Sequence, residues 1–501
     1  MKSFENKTII ITGAAMGLGL AVAKEHAVSG SQTVMAMFDK FNVKLQKIMG
    51  KSANGNSLVK FLPFLILLYV SMTASGQTPK STKANSSSLT AIESKIRDKT
   101  MAIESKLIGW RRDIHQNPEL GDREERTSKL VAEHLRTLGI EVQEGVGGTG
   151  VVGILKGGKP GKLVALRADM DALAVKEPAG LPFASKATAQ INVKTEYLMH
   201  ACGHDAHTAM LMAAAEVLAS VKSDLPGSVM FIFQPAEEGS SVVEPGSGKS
   251  WGAKRMLEDG IFKKNKPDAV FALHVHPGKS GQIDYKSGPA TASSDVLNIT
   301  VSGQQGHGGM PWNTVDPVVA SAYVIAGLQS VVSRRADLTK SPAVVSVGMI
   351  HGGSSQNVIP DTVKMVGTIR SYDPAARKQL HADIKQAAEH IAEGTYAKAQ
   401  VDILPMYDVT DNNDTLANQM LPVLKRAAEA GVVPGALQGA SEDFSYFAKE
   451  VPGLYIFLGV TPNGEDPAKA APNHNPKFFV DEKALVVGTR AMAAMAVNFL
   501  W

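Results

Sequence analysis

From about Ala91 the apolar residues recur at helical spacing through IESKIRDKTMAIESKLIGWRRDIH, and that period predicts amphipathic helix. Apolar runs of strand length follow: KLVALRADMDAL, GSVMFIFQPAE and AVFALHVHP, alternating with the helical stretch HTAMLMAAAEVLASV. Apolar strands that alternate with helices predict an α/β core on a mainly parallel sheet flanked by helices. The texture changes near Ser293. SSDVLNITVSG, AVVSVGMIHGG and TVKMVGTIRS alternate apolar and polar positions, as half-exposed strands do, and DPVVASAYVIAGLQSVV and RKQLHADIKQAAEHIAEG separate them with helical period. This order predicts a small α+β sandwich. After about Met406 the first texture returns, so residues 293–404 are expected to be inserted into a domain built from 91–292 and 405–501.

The first ninety residues are unlike the rest. KTIIITGAAMGLGLAVAKEHA runs from an apolar segment through Gly13, Gly17 and Gly19 into a helical pattern, and TVMAMFD then ends on Asp39. The order resembles the start of a short-chain dehydrogenase, a dinucleotide-binding unit. No further parallel strands follow to cover it, and no tyrosine is followed four positions later by the lysine that family uses. Residues 1–50 are therefore read as a partial, non-functional fragment. In 51–90, lysines up to Lys60 precede FLPFLILLYV, and Ala74-Ser75-Gly76 supplies small residues after it. This is the order of an export signal, and the apolar run is too short for a stable membrane anchor. Initiation at Met35, Met37 or Met49 would let segment 58–76 direct export to the periplasm or beyond; otherwise the protein is expected to be cytoplasmic. QTPKSTKANSSSLT, residues 77–90, reads as a flexible linker.

A chain of 501 residues, 44% of them hydrophobic, can fill two or three cores. The formal net charge is only +4, and no long basic block occurs after residue 100. That balance argues against a nucleic-acid partner. Cys202 is the single cysteine, which rules out an intrachain disulfide and leaves the thiol for other chemistry.

The thiol sits in YLMHACGHDAHTAM, two positions before His204. A thiolate and an imidazole in a glycine-flanked turn can approach one cation, although a lone Cys-x-His is more often packing. FIFQPAEEG ends an apolar strand on Glu237 and Glu238, which a buried sheet would not tolerate without partners. At a strand's C-terminal end they face the crevice where open α/β sheets bind ligands. His274 ends another strand, and His474 lies in a turn between prolines. Singly each histidine reads as structural; together the set offers enough donors for two metals. Strand alternation puts Asp169 and Asp171 on one face, able to support a histidine or a metal.

These residues lie within RRDIHQNPELGDREERTS, ALRADMDAL, MHACGHDAHTAM, QPAEEG, HVHP, GHGGMPWNTVDPV, GGSSQNVIPD, GTIRS, SEDFSYF and HNPKFF, in that order. The series resembles the M20 metallopeptidases, in the amidohydrolase branch that holds hippurate hydrolases and auxin-conjugate (IAA-amino acid) hydrolases, over roughly residues 95–501. The resemblance implies two divalent metal ions per subunit, zinc, manganese, cobalt or nickel, on Cys202, His204, Glu238, His274 and His474. It implies Glu237 as general base, Asp171 as the support of a metal ligand, and Asp169 in a related role. It implies that the insert is a ferredoxin-like lid and dimerisation domain. His307 would cross a homodimer interface to hold the oxyanion, while Asn357 and Arg370 bind the substrate carboxylate. The implied reaction is hydrolysis of N-acyl amino acids, acetyl, benzoyl or similar. Three rivals stand beside it: a dipeptidase or carboxypeptidase on the same metals, an NAD-binding protein built on residues 1–50, and a silent binding module.

Overall fold

The computed structural model describes residues 82–191, 193–244 and 246–501. The stretches read above as a dehydrogenase-like fragment (1–50) and an export signal (58–76) therefore lie outside the described residues. The polar stretch from Thr82 does not remain a linker. It is the start of helix α1 (Thr82–Ala102), which carries no proline or internal glycine and buries Ile92 and Ile96 one turn apart. Helices α2 (Glu104–Gln116) and α3 (Glu125–Thr137) follow.

Next in the chain come strands β1 (Glu141–Val146), β2 (Gly150–Lys156) and β3 (Lys159–Asp169), then helix α4 (His204–Ser220). Strands β4 (Pro226–Gln234), β5 (Ala269–Lys279) and β6 (Ile283–Tyr285) complete this portion. The next segment contains β7 (Ser294–Ser302), α5 (Pro317–Ser330), β8 (Ala343–Gly352), β9 (Thr362–Ser371), α6 (Pro374–Glu393) and β10 (Lys398–Tyr407). The chain closes with α7 (Asp414–Ala427), β11 (Val432–Pro434), β12 (Gly453–Thr461) and α8 (Lys483–Leu500).

The larger sheet has eight strands in the order β1-β2-β4-β3-β5-β12-β6-β11. Its centre, β4-β3-β5-β12, is parallel, whereas β1-β2, β2-β4 and β12-β6 pair antiparallel. The fold is thus α/β with a mixed sheet. Gly147 and Gly148, both at positive φ, turn the β1–β2 hairpin. The central strands read as unbroken apolar runs because both their faces are covered. Val229, Phe231 and Phe233 of β4 join the core under α4 and α8, while Met230 and Ile232 pack with Phe444 and Phe447 on the other side. Burying each such phenylalanine contributes roughly 1.5–3 kcal/mol. Helix α8 has the length and apolar composition of a membrane span, but 83% of it is buried, as a core helix is.

In the segment from β7 to β10, four strands pair antiparallel in the order β8-β9-β7-β10. Both of its helices start on an Asp-Pro pair. Asp316 accepts from the Val318 N–H at 2.8 Å and Asp373 from the Ala376 N–H at 2.7 Å, and each proline takes the first helical position. Leu297, Ile299 and Val301 of β7 meet Val324 and Leu328 of α5 and Ile384 of α6 in a second core.

Candidate active site

The C-terminal ends of the parallel strands carry the site. Asp169 closes β3 and Asp171 follows it; Glu237 and Glu238 follow β4; His274 lies within β5. Cys202 and Gly203 lead into α4, whose first residue is His204. Gly203 has φ +95, and a Cβ there would stand 2.3 Å from Val275 Cγ2, so only glycine lets the chain turn this close to β5.

Four chain-distant segments converge. Cys202 Sγ lies 3.3 Å from His274 Nε2, and His474 Nε2 lies 2.8 Å from Glu238 Oε1. Donor atoms of Cys202, His204 and His274 lie within 4.8 Å of one another, and so do those of Cys202, Glu238 and His474. The two sets share the thiol and so mark two adjacent candidate cation positions. The ring orientations agree. His274 directs Nδ1 at the Val275 carbonyl, 2.7 Å away, leaving Nε2 for the thiol side. His204 Nδ1 meets Asp171 Oδ1 at 3.1 Å, and its buried Nε2 has no hydrogen-bond partner. A fully buried imidazole nitrogen without a partner is costly unless it ligates.

The charge balance also fits cations. Asp169, Asp171, Glu237, Glu442 and Asp443 are all buried, and the buried guanidinium of Arg167 contacts Asp169, Glu442 and Asp443 at 2.8–3.0 Å. Burial, then the carboxylates of Glu442, Glu238, Asp443 and Asp171, push the Glu237 carboxyl well above its usual range. Burial and the nearby Glu238, Glu237 and Asp169 push the Cys202 thiol up in the same way. Divalent cations would relieve both crowdings, and a sulfur, nitrogen and oxygen donor set suits zinc or its transition-metal neighbours.

Supporting residues hold this geometry. Asp171 reaches His204 with one oxygen and accepts the Glu238 N–H at 2.8 Å with the other, so it braces two donors. Asp169 accepts from His207 Nδ1 at 2.6 Å; His207 Nε2 accepts the Val275 N–H at 2.8 Å and is spent there. Ala236, just before the acidic pair, has φ +51, a strained value for a residue with a Cβ. Glu124 Oε1 accepts its N–H at 2.8 Å, and burial followed by the Asp171 charge raises the Glu124 carboxyl to about 8. Tyr407 donates to the Glu237 carbonyl at 2.6 Å.

Cys202, Glu237, Glu238, His274, His474 and Tyr407 line a cavity of about 910 Å³ between the large sheet and β7, β9 and β10. Arg370 stands on the far wall, donating from Nη1 to Ser294 Oγ at 2.7 Å and to Thr368 Oγ1. Burial lowers its pKa. Leu120, Leu173, Ile191, Val243 and Trp251 give the cavity an apolar portion. His307 and Asn357 are not part of its lining. They sit together and exposed, where the Gly308 N–H donates to the Asn357 carbonyl at 2.7 Å. Sequence reasoning assigned no role to Arg167, Glu124, His207, Glu442, Asp443 and Asn473. An arginine inside the apolar run ALRAD was a readable signal of a buried ion pair; the others depend on contacts the sequence does not display.

The profile of Peptidase family M20/M25/M40 matches residues 165–498. Thermostable carboxypeptidase 2 of Saccharolobus solfataricus is 40% identical over 408 residues, covering 81% of this chain and 98% of that protein. N-acetylcysteine deacetylase of Bacillus subtilis is 37% identical over 401 residues, 80% of this chain and 98% of that one. The crystal structure of the Bacillus subtilis YXEP protein, described as a dinuclear metal binding peptidase, superposes with a TM-score of 0.66 at 33% identity, covering 80% of this chain and 99% of that one. The chain therefore belongs to peptidase family M20/M25/M40 and is a hydrolase of that family, of the metal-dependent amidohydrolase or peptidase kind.

Proposed function

We propose that the protein hydrolyses the amide bond of N-acyl amino acids, releasing a carboxylate and a free amino acid. The observation that carries this reading is one cavity lined by Cys202, Glu238, His274, His474 and Glu237 and also by Arg370, with His204 grouped beside Cys202 and His274. A carboxylate bound by Arg370 anchors the amino-acid end, for which a planar guanidinium is suited. The apolar portion around Leu120, Leu173 and Ile191 then takes the acyl group. Cys202, His204, Glu238, His274 and His474 would hold two divalent cations, which when bound polarise the scissile carbonyl and acidify water. Glu237 takes a proton from the attacking water and delivers it to the departing nitrogen. Tyr407, on the Glu237 carbonyl, and Glu124, on the Ala236 N–H, keep that carboxyl aimed at the cavity. The kinship with an N-acetylcysteine deacetylase supports the acyl reading, and the carboxypeptidase relative keeps the peptidase alternative in view.

Exposed Val318, Val319 and Tyr323 of α5 and Val344, Met349 and Ile350 of the edge strand β8 support a homodimer through this segment. His307 of each copy would then act in the other's site as an oxyanion donor.

Two measurements test the reading. Glu237→Gln is expected to lower kcat by about 10²–10⁴-fold with metal content unchanged; an unaltered rate would refute the base. In a panel of N-acetyl and N-benzoyl amino acids against dipeptides and longer peptides, the acylated compounds are expected to turn over faster. Faster peptide cleavage would hand the site to the rival.

A further inference from the structure

Among the five donors His474 is the one whose position local structure explains least. Its side chain is 54% exposed, its φ is +68, and it lies in a loop whose regular structure is a single 3-10 turn at Pro467–Lys469. An exposed imidazole on an irregular loop loses rotamer and backbone freedom when it ligates, and that loss weakens binding unless the loop is set beforehand.

Asn473 supplies the setting. Its Nδ2 donates to the Cys202 carbonyl at 2.9 Å and to the Val275 carbonyl at 3.1 Å. Both acceptors are carbonyl oxygens, so the amide must present its nitrogen to them. The same Val275 carbonyl accepts from His274 Nδ1 at 2.7 Å, and the His474 N–H donates to the Ala201 carbonyl at 2.8 Å. One half-buried side chain thus stitches together the three segments that carry Cys202, His274 and His474, across sequence separations of 271 and 198 residues. Neither bond closes a secondary structure, and each ends on or beside a donor residue.

We propose that Asn473 is a positioning residue that sets His474 against Glu238 and Cys202 before metal binds, and so controls the affinity of that cation position. This rests on the ligand reading given above. The Cys202, His204 and His274 position keeps its own supports, Asp171 on His204 and the Val275 carbonyl on His274.

The test is calorimetric titration of the metal-free full-length protein with Zn²⁺, with thermal melting in parallel, on wild type, Asn473→Ala, Asn473→Asp and His474→Ala. Both Asn473 substitutions remove the donors, and the aspartate keeps the shape. Wild type is expected to bind two equivalents. Both Asn473 variants are expected to lose roughly 10–100-fold affinity for one equivalent, the one His474→Ala abolishes, while the other equivalent and the melting temperature stay near wild type. Two tight equivalents in both Asn473 variants would overturn the inference and leave the ligand reading standing. Parallel weakening of both equivalents with a lowered melting temperature would also overturn it, showing a general structural role. Wild type that binds no Zn²⁺ would overturn the ligand reading and this inference with it.

Discussion

Three of the site's acids share one buried guanidinium. Arg167 uses Nε on Gln234 at 2.9 Å and its two terminal nitrogens on Asp169, Glu442 and Asp443. Removing one partner from such a network leaves buried charge uncompensated, which costs more than the pairing itself contributes. Arg167→Met is therefore expected to lower unfolding free energy by about 3–5 kcal/mol. Urea unfolding of the purified protein measures this, and a loss under about 1 kcal/mol would show that the carboxyls simply take up protons. At this scale the candidate donors are marked more plainly in the sequence than the residues that support them. Cys202, His204, Glu237 and Glu238 stand in short motifs at strand or helix ends, where their chemistry is visible, whereas His274, expected at a strand end, lies in the middle of β5. Asp443 lies 276 residues from the arginine it meets, and Glu124 lies 112 from the backbone it holds, so nothing local marks either.

Elements were readable where their period was strong and their caps were present. The Asp-Pro starts of α5 and α6, and the alternation of β7, β8 and β9, mark those elements within the sequence itself. Strand direction was not readable from apolar content. β2 and β4 are both apolar and adjacent, yet they run antiparallel, because β2 belongs to a hairpin that enters the sheet from its edge. What joins β7 to α6 is also a matter of contact. The Asp295 carboxylate is fully buried and receives Arg377 Nε at 3.1 Å and His381 Nε2 at 2.8 Å. Burial alone would raise its pKa, but the hydrogen bonds from His381 and Arg377 outweigh that and hold the carboxyl below the ordinary aspartate range. A depressed folded pKa means stability that is present above the unfolded value, about 3.9, and lost as pH falls through the folded one. Asp295→Asn is accordingly expected to cost about 3 kcal/mol near pH 7. The gap between variant and wild type should shrink once pH drops below about 4. Equal gaps at pH 7 and pH 3, in denaturant titrations at each pH, would show that the ion pairs do not carry the stability.

At the level of the whole molecule the change of texture near Ser293 and its return near Met406 could be read from one chain, but the placement of His307 could not. A sequence states which residues a segment carries and says nothing of which copy's cavity they enter. His307 and Asn357 lie outside the lining of the cavity that holds Glu237 and Arg370, so a complete site on the proposed reading draws on two copies. That arrangement makes a strong prediction about mixtures. Glu237→Gln keeps a working His307, and His307→Ala keeps a working Glu237, so each homodimer should be nearly inactive. Mixed and allowed to exchange subunits, the two should regain activity, because a heterodimer pairs one intact Glu237 with the other copy's intact His307. Recovery should fail when Ile350→Lys, placed on the exposed edge strand, is added to both, since a charge there opposes strand-to-strand docking. Light scattering should then report a monomer for Ile350→Lys and a dimer for the parent. A mixture no more active than its components, under conditions where exchange is demonstrated, would place His307 outside the chemistry altogether.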